Sequence, residues 1–275
     1  MKPDGQVNLE TARRVLEVVD AGLVPGLGEA KPGSMCVEAA VCYALGHPHG
    51  DQPACVHPFV RALMIHLNDS GWTDDKAQAK GLRRAAIAQL GTDDTLDGEQ
   101  FQREFQIAAI QRCTPLLLRA AATIARKGKD ENQAAKIETV AAQCEAGIPI
   151  VEAQAAMRAL HANANAYANA YANANAYANA YAYAYANANA NAYTGANAYA
   201  YAYAYANAYA YANAYTYTGA NAYAYANAYA YAYANANAGD RDKFLRAAAD
   251  SVEAALRACN APGIALLDQL LPVNS

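Results

Sequence analysis

Apolar residues recur at helical spacing through the first 160 residues, and helix caps and breakers separate the periodic segments. No part of this region alternates between apolar and polar residues as a half-buried strand does. The pattern predicts seven helices, which begin near Asn8, Ser34, His57, Thr73, Asp97, Asp130 and Ile150. We therefore expect an all-α, bundle-like domain over residues 1–160.

The fifth predicted helix contains a proline. It begins with Asp97 and has Gln100 three residues later, which resembles a capping box. Pro115 has no backbone N–H and its ring collides with the preceding turn of a helix. We expect this helix to kink or break at Thr114 and Pro115 and then to continue to Gly128.

Residues 161–238 follow a strict period of two. From His161 to Gly239 the odd positions hold 20 Tyr, 16 Asn, three Gly and one His, and the even positions hold 36 Ala and three Thr. Because successive side chains of a strand point to opposite faces, a strand would separate an Ala face from a Tyr/Asn face. The pattern predicts a β-solenoid-like or stacked-strand block. Its predicted interaction face comprises Tyr167, Tyr171, Tyr177, Tyr181, Tyr199, Tyr203, Tyr209, Tyr223, Tyr229 and Tyr233.

Two other conformations and one genetic origin remain open for this repeat. Ala is the best helix former, so a chain that is mostly α throughout is the alternative fold. Residues two apart are rotated by about 200° on a helix, which would spread the Tyr side chains all round it. Disorder is the third conformation. Slippage of a hexanucleotide would also produce the pattern, and the repeat would then have little function.

Helical spacing resumes after the repeat. Asp240 is a candidate N-cap, and Pro262 with Gly263 ends the helix that follows. The predicted fold class is therefore α+β. It comprises a helical domain over 1–160, the repeat over 161–238 and a helical C-terminal cap over 239–275.

Charge and composition exclude some partners. The chain has 21 Lys and Arg against 25 Asp and Glu, so its net charge is −4 and no cationic excess is available to bind nucleic acid. No apolar run reaches the ~18 residues of a membrane-spanning helix. The N-terminus is polar and resembles no signal peptide, which predicts a cytoplasmic location, with signal-independent export left open. The six cysteines are then expected to be reduced thiols.

One segment concentrates metal-binding residue types. Cys42, His47, His49, Cys55 and His57 lie close together in the sequence. Zn²⁺ binds Cys and His in tetrahedral sites, so zinc is the candidate cofactor, although the spacing matches no standard zinc finger. The alternative is structural: a small buried thiol, a helix-capping histidine and two solvated loop histidines.

The same region offers the parts of a cysteine hydrolase. Cys36 lies near the start of a predicted helix, where the helix dipole lowers the pKa of a thiol. His49 and Asp51 would complete a catalytic triad if the fold brought them to Cys36. The alternative for Cys36 is a buried structural thiol.

A partial calcium-loop pattern follows. Asp93, Thr95, Asp97, Gly98 and Glu104 occupy positions 1, 3, 5, 6 and 12 of an EF-hand loop. Thr95 stands where Asp or Asn is usual, and a helix cap explains Asp97 better than a calcium ligand does.

The stretch GLGEAKPGSMCVEAAVCYALGHPHGDQPACV, with LNDSGW and GLRRAAIAQLG after it, resembles a group of uncharacterised bacterial and phage proteins. These proteins share this N-terminal region and end in Ala/Tyr/Ser-rich or Ala/Asn-rich tracts. The resemblance covers about the first 110 residues. It implies no activity, so no functional residue is carried over.

The sequence as a whole favours a structural or interaction protein over an enzyme. An uncharged block rich in Tyr and Asn is typical of a segment that associates with copies of itself, and Tyr faces also stack on carbohydrate or other surfaces. The predicted function is self-assembly into a homo-oligomer or filament, or binding to a surface or ligand. The alternative is a Cys/His metal-binding or hydrolase-like N-terminal domain with a passive repeat.

Overall fold

A computed structural model describes residues 6–127, 130–148 and 238–272. Helices account for all the regular structure in these ranges. They are α1 (Leu9–Asp20), α2 (Val37–Leu45), α3 (Pro58–Asn68), α4 (Asp75–Ala88), α5 (Gly98–Lys127), α6 (Glu131–Glu145), α7 (Ala238–Ala258) and α8 (Pro262–Leu270).

The predicted α+β fold class is wrong for the described chain. No sheet occurs in the three described ranges, and the only strand-like pairing there is one antiparallel bridge between Gly28 and Met35. The reason is that apolar residues of these ranges recur at helical spacing, whereas the prediction placed every strand in 161–238. The β-solenoid-like block and its Tyr interaction face lie outside the described residues. Ala238, the one described residue of that block, begins α7.

The first helices begin at local capping groups. Asn8 Oδ1 accepts a hydrogen bond from the Thr11 amide at 2.9 Å, which confirms the predicted cap of α1. His57 precedes Pro58 at the start of α3, as predicted. The second helix differs from the prediction, because its cap is Cys36 and not Ser34.

Helix α4 lies at the centre of the larger compact unit. This unit combines residues 6–109 with 238–272, and α4 packs against α1, α2, α3, α7 and α8 within it. A side chain at Gly81 of α4 would overlap the ring of Trp72, whose Nε1 donates to the Leu67 carbonyl at 2.7 Å. Only glycine therefore allows this approach between the indole and the helix.

The C-terminal helices complete the same unit. Their buried side chains include Phe244, Leu245, Val252, Leu256 and Leu267. The backbone of α8 approaches α4 so closely at Gly263 that a Cβ there would collide with the carbonyl oxygens at the end of α4. Residues on both sides of the repeat thus share one hydrophobic core.

After residue 110, helix α5 pairs with helix α6 through salt bridges between arginines of α5 and glutamates of α6. Arg119 binds Glu145 and Arg126 binds Glu138, which places the two helices antiparallel. Helix α5 is continuous over its 30 residues with Pro115 inside it, so of the predicted kink or break at Pro115 the break does not occur, and the kink stays a prediction. The predicted seventh helix, beginning at Ile150, lies outside the described residues.

No helix in the described ranges combines the length and apolar character needed to cross a bilayer.

Candidate functional site

The region around the start of α2 contains most of the residues that the sequence singled out. Asn68, fully buried at the end of α3, fixes this region. Its Oδ1 accepts from the Val37 amide at 3.0 Å and from Gln78 Nε2 at 2.8 Å, and its Nδ2 donates to the Val24 carbonyl at 2.9 Å. One side chain therefore joins the first turn of α2, helix α4 and the loop after α1.

Cys36 caps α2. Its Sγ accepts a hydrogen bond from the Ala39 amide at 3.3 Å. Burial is the main cause that raises the pKa of the Cys36 thiol to about 11, and the nearby Glu38 and Asp51 carboxylates add to it. A cysteine nucleophile needs the opposite shift, because only the thiolate attacks. The thiol is suited to a structural role.

His49 does not join Cys36 in a catalytic pair. Its ring is exposed, and Nε2 lies 3.1 Å from the Gly28 carbonyl oxygen. Asp51 is half-buried and influences Cys36 through its charge rather than through a hydrogen bond. The predicted Cys36, His49 and Asp51 relay thus receives no support from the hydrogen bonds of the described residues.

The structure brings two of the predicted zinc ligands, Cys42 and Cys55, close enough for each thiol to interact electrostatically with Glu38, and Cys42 also with Cys55. Burial is the main cause that raises the pKa of the Cys42 and Cys55 thiols, and the nearby backbone amides of Gln52 and Gly91 partly oppose it. His57 Nδ1 accepts from the Phe59 amide at 3.2 Å and caps α3. His47 is half-buried at the end of α2. No group of three or more His, Cys, Asp or Glu side chains in the described chain is arranged to hold a metal ion, so zinc stays a prediction.

The partial calcium-loop pattern marks the start of α5. Asp97 Oδ1 accepts from the amides of Glu99 and Gln100 at 2.9 and 3.1 Å. Thr95 Oγ1 donates to the Gly91 carbonyl at 2.8 Å. These contacts are those of a helix cap and a turn, which is the structural alternative given for Asp97.

The most unusual group of the region is one that the sequence analysis missed. Glu38, in the first turn of α2, is fully buried, and neither carboxyl oxygen has a hydrogen-bond partner among the described residues. Gln89 is also fully buried, and its amide nitrogen and oxygen are likewise unpartnered in the described chain. Most buried polar side chains have a hydrogen-bond partner, so this pair calls for an explanation.

Burial decides the protonation state of Glu38. It raises the pKa of the carboxyl group to about 8, and the neighbouring Gln89 amide and Arg61 guanidinium only partly oppose it. Glu38 therefore carries its proton at neutral pH. The sequence signal for it is a single acidic residue inside the otherwise apolar run MCVEAAVCYAL.

Comparisons of the chain with protein families, with curated proteins and with solved structures find no match, so the similarity to bacterial and phage proteins stays a prediction and no relative assigns a ligand or reaction to these residues.

Proposed function

We propose that this protein is a non-enzymatic display scaffold, in which a helical body holds the Ala/Tyr/Asn repeat for association with other copies of the chain. The observation that carries the proposal is that residues before and after the repeat belong to one folded unit. The chain leaves this unit after residue 109 and returns to it at residue 238. An insertion between two parts of one folded unit can vary in length and sequence without disturbing that unit.

The C-terminal anchor supports this proposal. Arg84 of α4 donates through Nε and Nη2 to the Glu253 carboxylate of α7 at 2.7 and 2.8 Å, and through Nη1 to the Leu271 carbonyl at 2.8 Å. The Thr73 amide donates to Asp242 Oδ1 at 2.9 Å. These contacts join positions 169 and 187 residues apart in the sequence. Helix α7 is thus part of the body and not a loose tail.

The composition of the repeat supports self-association. No charged residue occurs between Arg158 and Asp240, so copies of the repeat meet no like-charge repulsion. Its 20 Tyr side chains each offer a large apolar ring and one hydroxyl group. Many weak and equivalent contacts add up to strong association when they form together.

The thiols of the body support a non-enzymatic function. Cys36, Cys42 and Cys144 each have a pKa raised to about 11, with burial as the largest cause. Such groups are protonated at neutral pH and react slowly.

The test compares sedimentation velocity of the parent chain with that of a full-length variant in which the ten tyrosines of the interaction face are replaced with serine. We expect the parent to form concentration-dependent oligomers and the variant to be a monomer with the same helical circular dichroism. Tyr43→Ser is the matched control, because Tyr43 is an exposed tyrosine on α2 and should leave association unchanged.

Two results would overturn the proposal. One is a monomeric parent at every concentration. The other is a serine variant that associates as strongly as the parent. A monomeric parent that nevertheless co-sediments with an insoluble polysaccharide would replace self-association with surface binding.

A further inference from the structure

We propose that Glu38, buried beside Gln89, is a proton-sensitive group of the helical body: its carboxyl group is held neutral at the junction of α2, the end of α4 and residues 52–57, and its ionisation loosens that junction.

The geometry of the pair is the first step of the argument. Both side chains are wholly shielded from solvent, and all four of their polar side-chain atoms lack a partner within the described residues. The residues that flank Glu38 along α2, namely Val37, Ala39, Ala40 and Val41, are fully buried as well. A neutral carboxylic acid tolerates such a site far better than a carboxylate does, because an unpaired buried charge loses its hydration without compensation.

The charges around Glu38 give it no ion pair. From α3, Arg61 acts on the carboxyl group through its charge but forms no salt bridge with it among the described residues. From the loop after α2, the Asp51 charge opposes ionisation. Helix α4 contributes the uncharged Gln89. Asp20 of α1 forms a salt bridge with Arg83 of α4 rather than with a group beside Glu38.

On the same helix, α1, Arg14 pairs with Glu10, and Arg13 and Glu17 are exposed. The Glu38 charge acts on the thiols of Cys36, Cys42 and Cys55 and raises the pKa of each, after burial. A Glu38 anion would therefore face thiols, the Gln89 amide and a guanidinium group, that of Arg61, with which it forms no salt bridge among the described residues.

Hydrogen bonds hold residues 52–57 to the turn after α4. The His57 amide donates to Thr92 Oγ1 at 2.9 Å. The backbone amides of Gln52 and Gly91 lie near enough to Cys42 and Cys55 to lower the pKa of these thiols, against the larger effect of burial. The Asp93 amide donates to the Cys55 carbonyl at 3.3 Å. Admitting water to solvate a Glu38 carboxylate would require these segments to separate from α2.

The sign of the pH dependence follows from linkage. The carboxyl pKa is raised from 4.5 to about 8, so between these values the folded chain keeps a proton that the unfolded chain has released. Stability therefore falls as pH rises through this window and levels off above it. Each pH unit inside the window changes the unfolding equilibrium constant by about tenfold.

The first experiment measures urea unfolding of the full chain at about pH 5.5 and about pH 7.5, a two-unit interval in which the linkage relation applies. Glu38→Gln removes the proton equilibrium and keeps the shape of the side chain. Over this interval we expect the folding equilibrium constant of the parent, relative to that of Glu38→Gln, to fall by about 100-fold. Glu17→Gln, which removes an exposed carboxylate of α1, should follow the parent.

The second experiment measures the titration of the Glu38 carboxyl group and the local opening of α2 directly. In the parent, the ¹³C chemical shift of the Glu38 carboxyl carbon should titrate near pH 8, and exchange of the α2 amides should accelerate above that pH beyond the intrinsic base-catalysed rate. Glu38→Gln should lack the extra acceleration. A carboxyl titration near its ordinary pKa of 4.5 would overturn the proposal, and so would identical pH dependence of unfolding in the parent and Glu38→Gln.

Discussion

A fully buried glutamate and a half-buried glutamate of the helical body have opposite surroundings. Glu253 on α7 is 12% exposed and binds Arg84 and Arg257. Burial is the largest single influence on its pKa and raises it, but the two guanidinium groups together outweigh burial and lower the pKa below its ordinary value. Glu38 on α2 is buried without an ion pair, and its pKa rises to about 8. The comparison shows that hydrogen-bonded cations, rather than burial alone, decide whether an interior carboxyl group is charged.

The largest expected loss of stability comes from removing a buried apolar side chain of α7, the helix that carries Glu253. Phe244 is 1% exposed. Phe244→Ala leaves a cavity beneath α7 and should lower the free energy of unfolding by about 3–5 kcal/mol. Chemical denaturation measures it. Leu27→Ala is the control, because Leu27 is 42% exposed and its truncation should cost less than about 1 kcal/mol. A small effect at Phe244 would mean that α7 is not needed for the core.

The ion pairs of Glu253 should contribute less than the apolar contact. Arg84→Met removes three hydrogen bonds, two to Glu253 and one to the Leu271 carbonyl. We expect a loss of about 2 kcal/mol, reduced from the value for a fully buried pair because the Arg84 side chain is 30% exposed. Thermal and urea unfolding both measure it. A neutral result would show that Arg257 alone satisfies Glu253.

The pH dependence of stability should distinguish the Glu253 carboxyl group from the Glu38 carboxyl group. The Glu253 pKa is lowered, so its contribution is present above the unfolded pKa and is lost as pH falls through the folded pKa. Glu253→Gln should therefore be less stable than the parent near neutral pH and approach it in acid. Glu38→Gln should show the reverse order, gaining most on the parent at high pH. Unfolding curves of both variants across one pH series measure this, and parallel curves would contradict it.

Removing an exposed ion pair should change the free energy of unfolding least. Arg119 binds Glu145 at 2.5 Å with the two side chains 42% and 54% exposed. Arg119→Met should lower the free energy of unfolding by less than about 1 kcal/mol, because solvent screens such pairs. It is the matched control for Arg84→Met. An effect as large as that of Arg84→Met would show that the α5–α6 pairing stabilises the chain more than its exposure suggests.

Local signals in the sequence predicted the helices well. Asn8 caps α1 through a side chain three residues from its partner, and α6 begins at Glu131, one residue after the predicted start at Asp130. The start of α2 was misplaced because Asn68, 31 residues from Val37, binds the first amide of the helix. Of the predicted kink or break at Pro115, the break does not occur, because a proline removes only one backbone hydrogen bond of a long helix; the kink stays a prediction.

In the candidate site, too, the sequence identified residue types, whereas long-range contacts decided what those residues do. The sequence identified the thiols, histidines and Asp97 by residue type, yet hydrogen bonds to backbone amides give Cys36, His57 and Asp97 the roles of helix caps. Glu38 was visible as one acidic residue in an apolar run. Its unpartnered state could not be predicted, because it depends on which atoms α3 and α4 place beside it.

The sequence by itself determined the helical periodicity of the two ends of the chain, the helix caps, and the uncharged period-two repeat between residues 161 and 238. These are local properties, set by neighbouring side chains and the backbone. The tertiary structure alone decided that α7 and α8 complete the core around α4, and that Arg84 binds Glu253 while Glu38 has no hydrogen-bonded cation among the described residues. Those outcomes depend on contacts between residues far apart in the chain, which packing selects and periodicity does not specify.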